Sequence, residues 1–378
     1  MPSLRHPKRT LDNTTANNPD ALTTHMQPNS PKDSNPIRVK VMGLLPARWW
    51  MHQFPGNIPQ WDGCVFSFDP NDREYDWLVV NNELPARQGG RKGSGFEALA
   101  CPPRHTMLTT TEPSSIKIYG SAYTGQFGCV LTSQEEWALP HPDRIFSQPA
   151  LHWFYGVGNR HETPFDQIVT SPPVNKTRPV SMVYSAKQQW HTLHRKRFKF
   201  MQAMIAGLRD LDLYGRGATP LDDKAEALDA YRYHIAVENF IGQHHWTEKL
   251  ADPFLGLALP FYAGCPNAAD YFPPESFIAI DIKDPERALR TITRAIATNE
   301  YEKRLPFIHK ARRLVLYEYN FFAVVAREIR KRHDPELQPS AAHTLYSRHV
   351  LRNRSPASAL RDFYEKARAR VIHMTMKG

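Results

Sequence analysis

No two of the four cysteines in this 378-residue chain stand in CxxC spacing. Cys64, Cys101, Cys129 and Cys265 are scattered and read as ordinary reduced thiols, for which a cytoplasmic home is the simplest reading. No apolar run approaches the roughly 18 residues that a membrane-spanning helix needs. The opening stretch MPSLRHPKRTLDNTTANNPD carries charge but no apolar core, so it is not expected to act as a secretory signal. There is no internal repeat, no GxGxxG and no GxxxxGK[ST], which leaves neither a dinucleotide fingerprint nor a P-loop. Acidic residues are in deficit: 38 Asp and Glu face 48 Lys and Arg, for a formal charge of +10 and a pI near 9.4. A chain so charged attracts anions, whether nucleic acid, an acidic membrane surface or phosphorylated metabolites.

Residues 1–36 are rich in Asn, Thr, Pro, Ser and Asp, and are expected to be disordered because they bury too little apolar surface to offset their entropy. Strand-like runs begin at IRVKVMG (Ile37–Gly43) and continue with DWLVVNN, TMLTTT and CVLTS, separated by weak helical signals. From PVSMVYSA (Pro179–Ala186) the alternation is clearer. The stretch RFKFMQAMIAGLRDL reads as a helix with Phe198, Met201, Ile205 and Leu208 on one face. LDLYGRG, YRYHIAVEN, LALPFYAG and SFIAID read as strands, and the run from Tyr301 to His333 as helix. Strands alternating with helices imply parallel sheets. The expected organisation is a disordered segment at 1–36, two α/β halves at 37–175 and 176–335, and a basic helical tail at 336–378.

Two helix starts carry charges of the wrong sign. Thr247 is a plausible N-cap, so Glu248 and Lys249 fall in the first turn, where a lysine opposes the macrodipole. His194, Arg195, Lys196, Arg197 and Lys199 crowd the start of the helix after the first strand of the second half. Both oddities are relieved by an anion at the helix N-termini, with Arg197 offering a planar fork for phosphate. Such termini converge at the carboxyl edge of a parallel sheet, where open α/β sheets bind ligands. The alternative is exposed surface cations. His244 and His245 are adjacent rather than spaced by three or four, so a metal site is not the favoured reading. Asp210 and Asp212 form a DxD at a helix-to-strand junction, where acids are ordinary.

These residues fall in a familiar order. Val237-Glu238-Asn239, Thr247-Glu248-Lys249, Pro260 to Gly264 and Phe272 to Pro274 resemble the donor-site signature of glycosyltransferase family 10, the α-1,3-fucosyltransferases, in a bacterial-type form. The arginine-bearing helix and the DLYGRG turn precede them as in that family, and YDWLVVNNE and TTTEPSSIKIYG are similar to its N-terminal acceptor domain. The resemblance covers about residues 37–320.

It implies a GT-B architecture: two Rossmann-like domains facing across a cleft, here followed by a helical tail. It also implies inverting transfer of L-fucose from GDP-β-L-fucose to a glycan hydroxyl, in α-1,3 linkage to GlcNAc or Glc of a surface polysaccharide, or protein glycosylation. Glu112 would be the general base and Glu248 a second catalytic carboxylate near the donor. Arg197 and Lys249 would hold the diphosphate. Asn239, Glu238, Tyr214 and His245 would complete the donor site, with Glu238 equally readable as a buried structural carboxylate. No metal is implied as a required cofactor, a divalent ion being at most stimulatory. The same fold with another GDP-sugar remains an alternative. A basic nucleic-acid-binding protein is a further one, disfavoured because no recognition module is visible. The tail SRHVLRNRSPASALRDFYEKARARVIHM either packs back on the first domain or lies on anionic lipid. The expected location is the cytoplasm, with weak peripheral association at the inner membrane face. Oligomeric state is not legible.

Overall fold

The computed structural model describes residues 35–86, 94–150, 152–185, 194–339 and 343–375. The expected disorder of 1–36 therefore lies almost wholly outside the described residues. The first half contributes β1 (Ile37–Met42), β2 (Gln60–Trp61), β3 (Cys64–Ser67), β4 (Trp77–Asn81), β5 (Phe96–Ala98), β6 (Thr106–Thr109), β7 (Cys129–Thr132) and β8 (Arg144–Phe146). Seven of these form one sheet in the order β2-β3-β1-β4-β6-β7-β8, parallel except where β2 turns back on β3. Every residue of β4, β6 and β7 is buried. Burial on both faces explains why these strands read as unbroken β-branched and apolar runs rather than as alternation. The helices here are short: α1 (Ala47–Met51), α2 (Ser121–Thr124) and α3 (Phe165–Thr170).

The second half begins with β9 (Arg178–Ser185), followed by α4 (His194–Gly207), β10 (Leu211–Arg216), β11 (Tyr231–Val237), α5 (Glu248–Leu255), β12 (Leu259–Ala263), β13 (Ile278–Ala279) and α6 (Pro285–Ala297). Its five strands are all parallel, in the order β10-β9-β11-β12-β13. Pro260 is tolerated inside β12 because the two-residue β13 pairs only with Phe261 and Tyr262, so the proline has a strand neighbour on one side alone. Along α4 the buried face is Arg197, Phe200, Met201, Met204 and Leu208, while Ile205 is exposed. Met201 and Leu208 of the expected face are buried, whereas Phe198 is half-buried and Ile205 exposed, so the buried stripe is displaced toward Arg197 and Phe200.

The long helical run divides into α7 (Glu300–Arg313), a π-helical turn at Leu314–Glu318 and α8 (Phe321–Arg332). Helical periodicity grouped α8 with the second half, but it packs on the first. Phe322 stacks on Phe54 with ring centroids 3.8 Å apart, Trp50 meets Phe321 at 4.6 Å, and Arg332 pairs with Asp143 at 3.0 Å. The chain thus crosses back, and one continuous hydrophobic core joins the two halves. The tail consists of β14 (Thr344–Tyr346), α9 (Arg348–Arg354) and α10 (Pro356–Thr375). β14 pairs antiparallel with β5, and Glu365 of α10 accepts hydrogen bonds from the Ser121 amide and hydroxyl. Two parallel α/β sheets face each other across a cleft, the GT-B arrangement, with the tail folded onto the first.

Candidate active site

The cleft has two lobes. One, of about 360 Å³, is floored by the carboxyl ends of β9 and β11 and walled by Arg197, Lys224, Asp252 and Pro253. The other, of about 350 Å³, is lined on its first-half side by Asn81, Asn82, Thr110, His152 and Phe154. Glu112, Asn239, Glu248 and Lys249 line both lobes and form the threshold between them. Two helix starts and the end of β6 meet there, so residues far apart in sequence share one wall.

The second-half wall is built from the turn between β11 and α5. Glu238, fully buried, extends the ladder by donating its amide to the Ala263 carbonyl at 2.8 Å. Its carboxylate accepts from the Thr247 amide at 2.8 Å and from the Thr247 hydroxyl at 2.9 Å, closing the intervening loop. A side chain at position 264 would strike Glu238 and the Tyr262 hydroxyl, its Cβ lying 2.4 Å from each, so only glycine lets these groups approach. Thr247 caps α5 by accepting from the Lys249 amide. The Lys249 ammonium donates to Glu248 at 2.8 Å and lies 3.7 Å from Glu238.

Burial works against the charges of this cluster, but their mutual attraction mostly prevails. Burial opposes ionisation of Glu248, yet the Lys249 and Lys224 ammoniums hold its carboxyl far below the usual range. Burial likewise disfavours the Lys249 ammonium, which the Glu248 and Glu238 carboxylates stabilise, raising its pKa. At Glu238 burial wins and the carboxyl is pushed up despite Lys249.

Arg197 enters from the first turn of α4 and donates to the Asn239 side-chain oxygen. Its Nε is buried without a partner, and no carboxylate pairs with it among the described residues. Among the described residues its charge has no ion-pair partner and is left for a ligand to meet.

The first-half wall offers Glu112, just past β6. Its backbone is pinned: Gln134 donates to its carbonyl at 2.7 Å, and the neighbouring Thr111 amide donates to the Tyr119 hydroxyl at 3.0 Å. Its carboxylate makes no hydrogen bond or ion pair among the described residues. Burial raises its pKa above 4.5, with Lys117 and Lys249 opposing and Glu248 adding to the rise.

Of the residues expected from sequence, Glu112, Glu248, Arg197, Lys249 and Asn239 come together at the threshold. Glu238 lines the second lobe while serving as the structural clamp on Thr247. His245 lines that lobe too, with Nδ1 3.0 Å from the Ser133 hydroxyl; burial lowers its pKa to about 4. Its neighbour His244 turns away at a φ of 61° and bonds the Tyr271 hydroxyl at 2.5 Å. No cluster able to hold a metal occurs among the described residues. Trp246 borders the second lobe but is only 1% exposed, packed among Tyr271, Phe272 and Tyr319, so it is chiefly core. Tyr214 is not brought in: it sits on the edge strand β10 with its hydroxyl 2.7 Å from that of Tyr231, and it lines neither lobe.

Sequence reasoning missed Lys224 and Asp252. Lys224 lies 2.8 Å from Asp252 and 3.6 Å from Glu248. It opens a short helical turn capped by Asp223, so it is the same misfit, a lysine at a positive helix start, that exposed Lys249.

Residues 173–306 match the family model described as glycosyltransferase family 10 (fucosyltransferase) C-term. That segment contains β9 to α6 and every second-half residue of the threshold. Over 116 residues the chain is 31% identical to 4-galactosyl-N-acetylglucosaminide 3-alpha-L-fucosyltransferase of Pongo pygmaeus, a match covering 29% of this chain and 32% of the relative. It is 32% identical over 116 residues to 3-galactosyl-N-acetylglucosaminide 4-alpha-L-fucosyltransferase of Pan troglodytes, covering 29% and 30%. The chain thus spans about a third of the length of the curated relatives it matches. A solved α1,3-fucosyltransferase aligns over 82% of this chain and 96% of its own at 15% identity, with a TM-score of 0.45.

Proposed function

We propose that the protein is an inverting glycosyltransferase that moves L-fucose from GDP-β-L-fucose to a hydroxyl of a glycan acceptor. The observation that carries this reading is the threshold itself. The family-matched segment supplies Arg197, Asn239, Glu248 and Lys249 around one cavity, and across from them stands Glu112 with an unbonded carboxylate of raised pKa.

In this reading the diphosphate lies against Arg197 and Lys249, whose charges stabilise the departing GDP. The acceptor enters through the lobe lined by Asn81, Thr110 and His152. Glu112 takes the proton of the acceptor hydroxyl as its oxygen bonds to the anomeric carbon, and the electron pair of the sugar–phosphate bond leaves with GDP. Glu248, held ionised by two ammoniums, faces the positive charge that develops on the sugar ring. Glu112 and Glu248 lie on opposite walls, so one carboxylate serves the attacking oxygen and the other the donor.

The test is an array of GDP-sugars against neutral and acidic oligosaccharides, read by mass spectrometry. GDP-fucose is expected to give a mass gain of one deoxyhexose on at least one acceptor. Transfer from a different GDP-sugar alone, or binding of random DNA that GDP does not displace, would overturn the assignment.

A further inference from the structure

A further cavity opens on the same edge of the first sheet as Glu112. The chain leaves β1 for β2 and β3 on one side and then crosses to β4 on the other. The turns that follow these parallel strands therefore part, and a crevice forms beyond their carboxyl ends, the place where open α/β sheets take ligands. It holds about 670 Å³, within the roughly 300–1,000 Å³ of small-molecule sites. Met42 and Gly43 line it from β1, Phe68 and Pro70 from the turn after β3, and Pro85 and Ala86 from the turn after β4. Leu45 lines both this cavity and the lobe through which the acceptor enters, so the single turn at 43–45 divides the two. Leu44, in that turn, is 64% exposed.

One wall of the crevice is polar and is held from inside the sheet. Lys40, in the buried run of β1, spends its three N–H groups on the Pro70 carbonyl at 2.7 Å, the Asp72 carbonyl at 3.0 Å and Glu97 Oε1 at 2.9 Å. It thereby ties the turn after β3 to β5. The same Oε1 accepts from Arg73 at 3.2 Å and from the Tyr75 hydroxyl at 3.2 Å. Oε2 accepts nothing among the described residues, although the Glu97 side chain is only 5% exposed and lines the cavity. A carboxylate oxygen so withdrawn from water is costly without a donor, and a ligand hydroxyl supplies one. Arg73 lines the cavity too. Its Nη1 carries both of its bonds, to Glu97 and to the Ala98 carbonyl, so Nη2 and Nε are unbonded among the described residues.

An unbonded carboxylate oxygen beside unbonded guanidinium N–H groups, in a cavity whose other walls include Met42, Phe68 and Pro85, suits a neutral pyranose ring. One ring hydroxyl donates to Glu97, a neighbouring one accepts from Arg73, and the C–H face of the ring meets the apolar wall. An anionic ring would bring its charge beside the Glu97 carboxylate, and an aliphatic chain would leave both polar groups unmet. We propose that this cavity is a second acceptor subsite, in which Glu97 and Arg73 hold a sugar of the acceptor chain beyond the ring that receives the fucosyl group. The chain passes from one cavity to the other over Leu44. The subsite rests on the fucosyl transfer proposed above, and it adds that the acceptor is an oligosaccharide rather than a single sugar.

The test compares neutral acceptors of one, two and four sugars (N-acetylglucosamine, N-acetyllactosamine and lacto-N-neotetraose) with the full chain at saturating GDP-fucose. KM is expected to fall by about 10-fold or more from the monosaccharide to the tetrasaccharide, with kcat nearly constant, as for binding that is equal in ground and transition states. Ala47→Trp fills the cavity from the exposed start of α1. In that variant, and in Arg73→Met, the gain with chain length should vanish while the melting temperature and the affinity for GDP are kept. If Arg73→Met fails to fold, Ala47→Trp alone decides. A KM that does not fall with chain length in the wild type, or a fall that survives Ala47→Trp, overturns the subsite and leaves the transfer reading standing. If no acceptor gains a deoxyhexose, calorimetry of lacto-N-neotetraose with the GDP-loaded chain decides instead. Binding that Ala47→Trp abolishes then sustains the subsite and counts against the donor assignment alone; no binding, or binding that the variant leaves intact, overturns the subsite.

Discussion

Both turns that meet at the threshold leave a buried parallel strand at its carboxyl end and deliver glutamates into the cleft, but they treat them in opposite ways. After β11, Glu238 and Glu248 are engaged: Thr247 binds the Glu238 carboxylate, and Lys249 and Lys224 both meet Glu248. After β6, the backbone of Glu112 is held by Gln134 and its surroundings by Tyr119, while the carboxylate has no partner among the described residues. A carboxylate held by cations, as Glu248 is, stays ionised and moves little, which suits a fixed electrostatic role, while the raised Glu238 serves as the clamp on Thr247. A carboxylate raised in pKa on a rigid turn can accept a proton and give it up, which suits a base.

The largest expected effect breaks the first-half side of this comparison. Glu112→Gln keeps size and the pinned backbone but cannot accept a proton, so transfer should fall by about 10²–10⁴-fold. GDP affinity by calorimetry should be unchanged, because no diphosphate contact is assigned to Glu112. Near-normal turnover in this variant would remove Glu112 as the base.

The middle effect sets two cations of the second-half side against each other. Arg197→Ala removes a charge whose one bonded partner among the described residues is Asn239, so GDP binding should weaken by about 10–100-fold, the equivalent of about 1.5–3 kcal/mol for a charged hydrogen bond. Thermal stability should barely change. Lys249→Ala should weaken GDP binding too, but it also strands Glu248 and Glu238 in a buried site, at a cost of about 3 kcal/mol. A lowered melting temperature for Lys249→Ala and not for Arg197→Ala separates clamp from scaffold; equal melting temperatures would mean that the carboxylates do not depend on the lysine.

The two walls also differ in how legible they were. Lys249 stood out from local rules alone, as a lysine in the first turn of a helix, and the Thr247 cap that reveals it is present. Lys224 obeyed the same rule and was passed over because its helical turn is short and its partners, Asp252 and Glu248, lie far along the chain. Nothing local marks Glu112: a glutamate before a proline turn is ordinary, and its isolation depends on Gln134, Lys117 and the opposite half. Tyr214 was assigned by its place in a motif, but a strand side chain faces whichever side the pleat dictates, and here that is toward Tyr231. The strands were readable because buried parallel strands are continuous apolar runs. The allegiance of α8 was not, since periodicity reports a buried face and not what covers it.

The smallest effect tunes the free carboxylate without touching it. A base works only when ionised, and burial sets the Glu112 pKa above the ordinary 4.5, so activity is present above that raised value and lost as pH falls through it. The Lys117 ammonium opposes the rise. Burial lowers the pKa of Lys117 itself to about 8, so it is cationic throughout the acid range. Lys117→Met removes a charge that favours the carboxylate, and the acid limb of the pH–rate profile should move to higher pH while the plateau rate stays nearly the same. The same substitution frees Glu83, which Arg348 still pairs, so the fold should persist. Lys249 lies on the other wall and opposes the rise as well, so the displacement is partial. An acid limb that stays in place, or moves to lower pH, would mean that the titrating group is not Glu112 and that the two walls do not divide the work as their hydrogen bonds indicate.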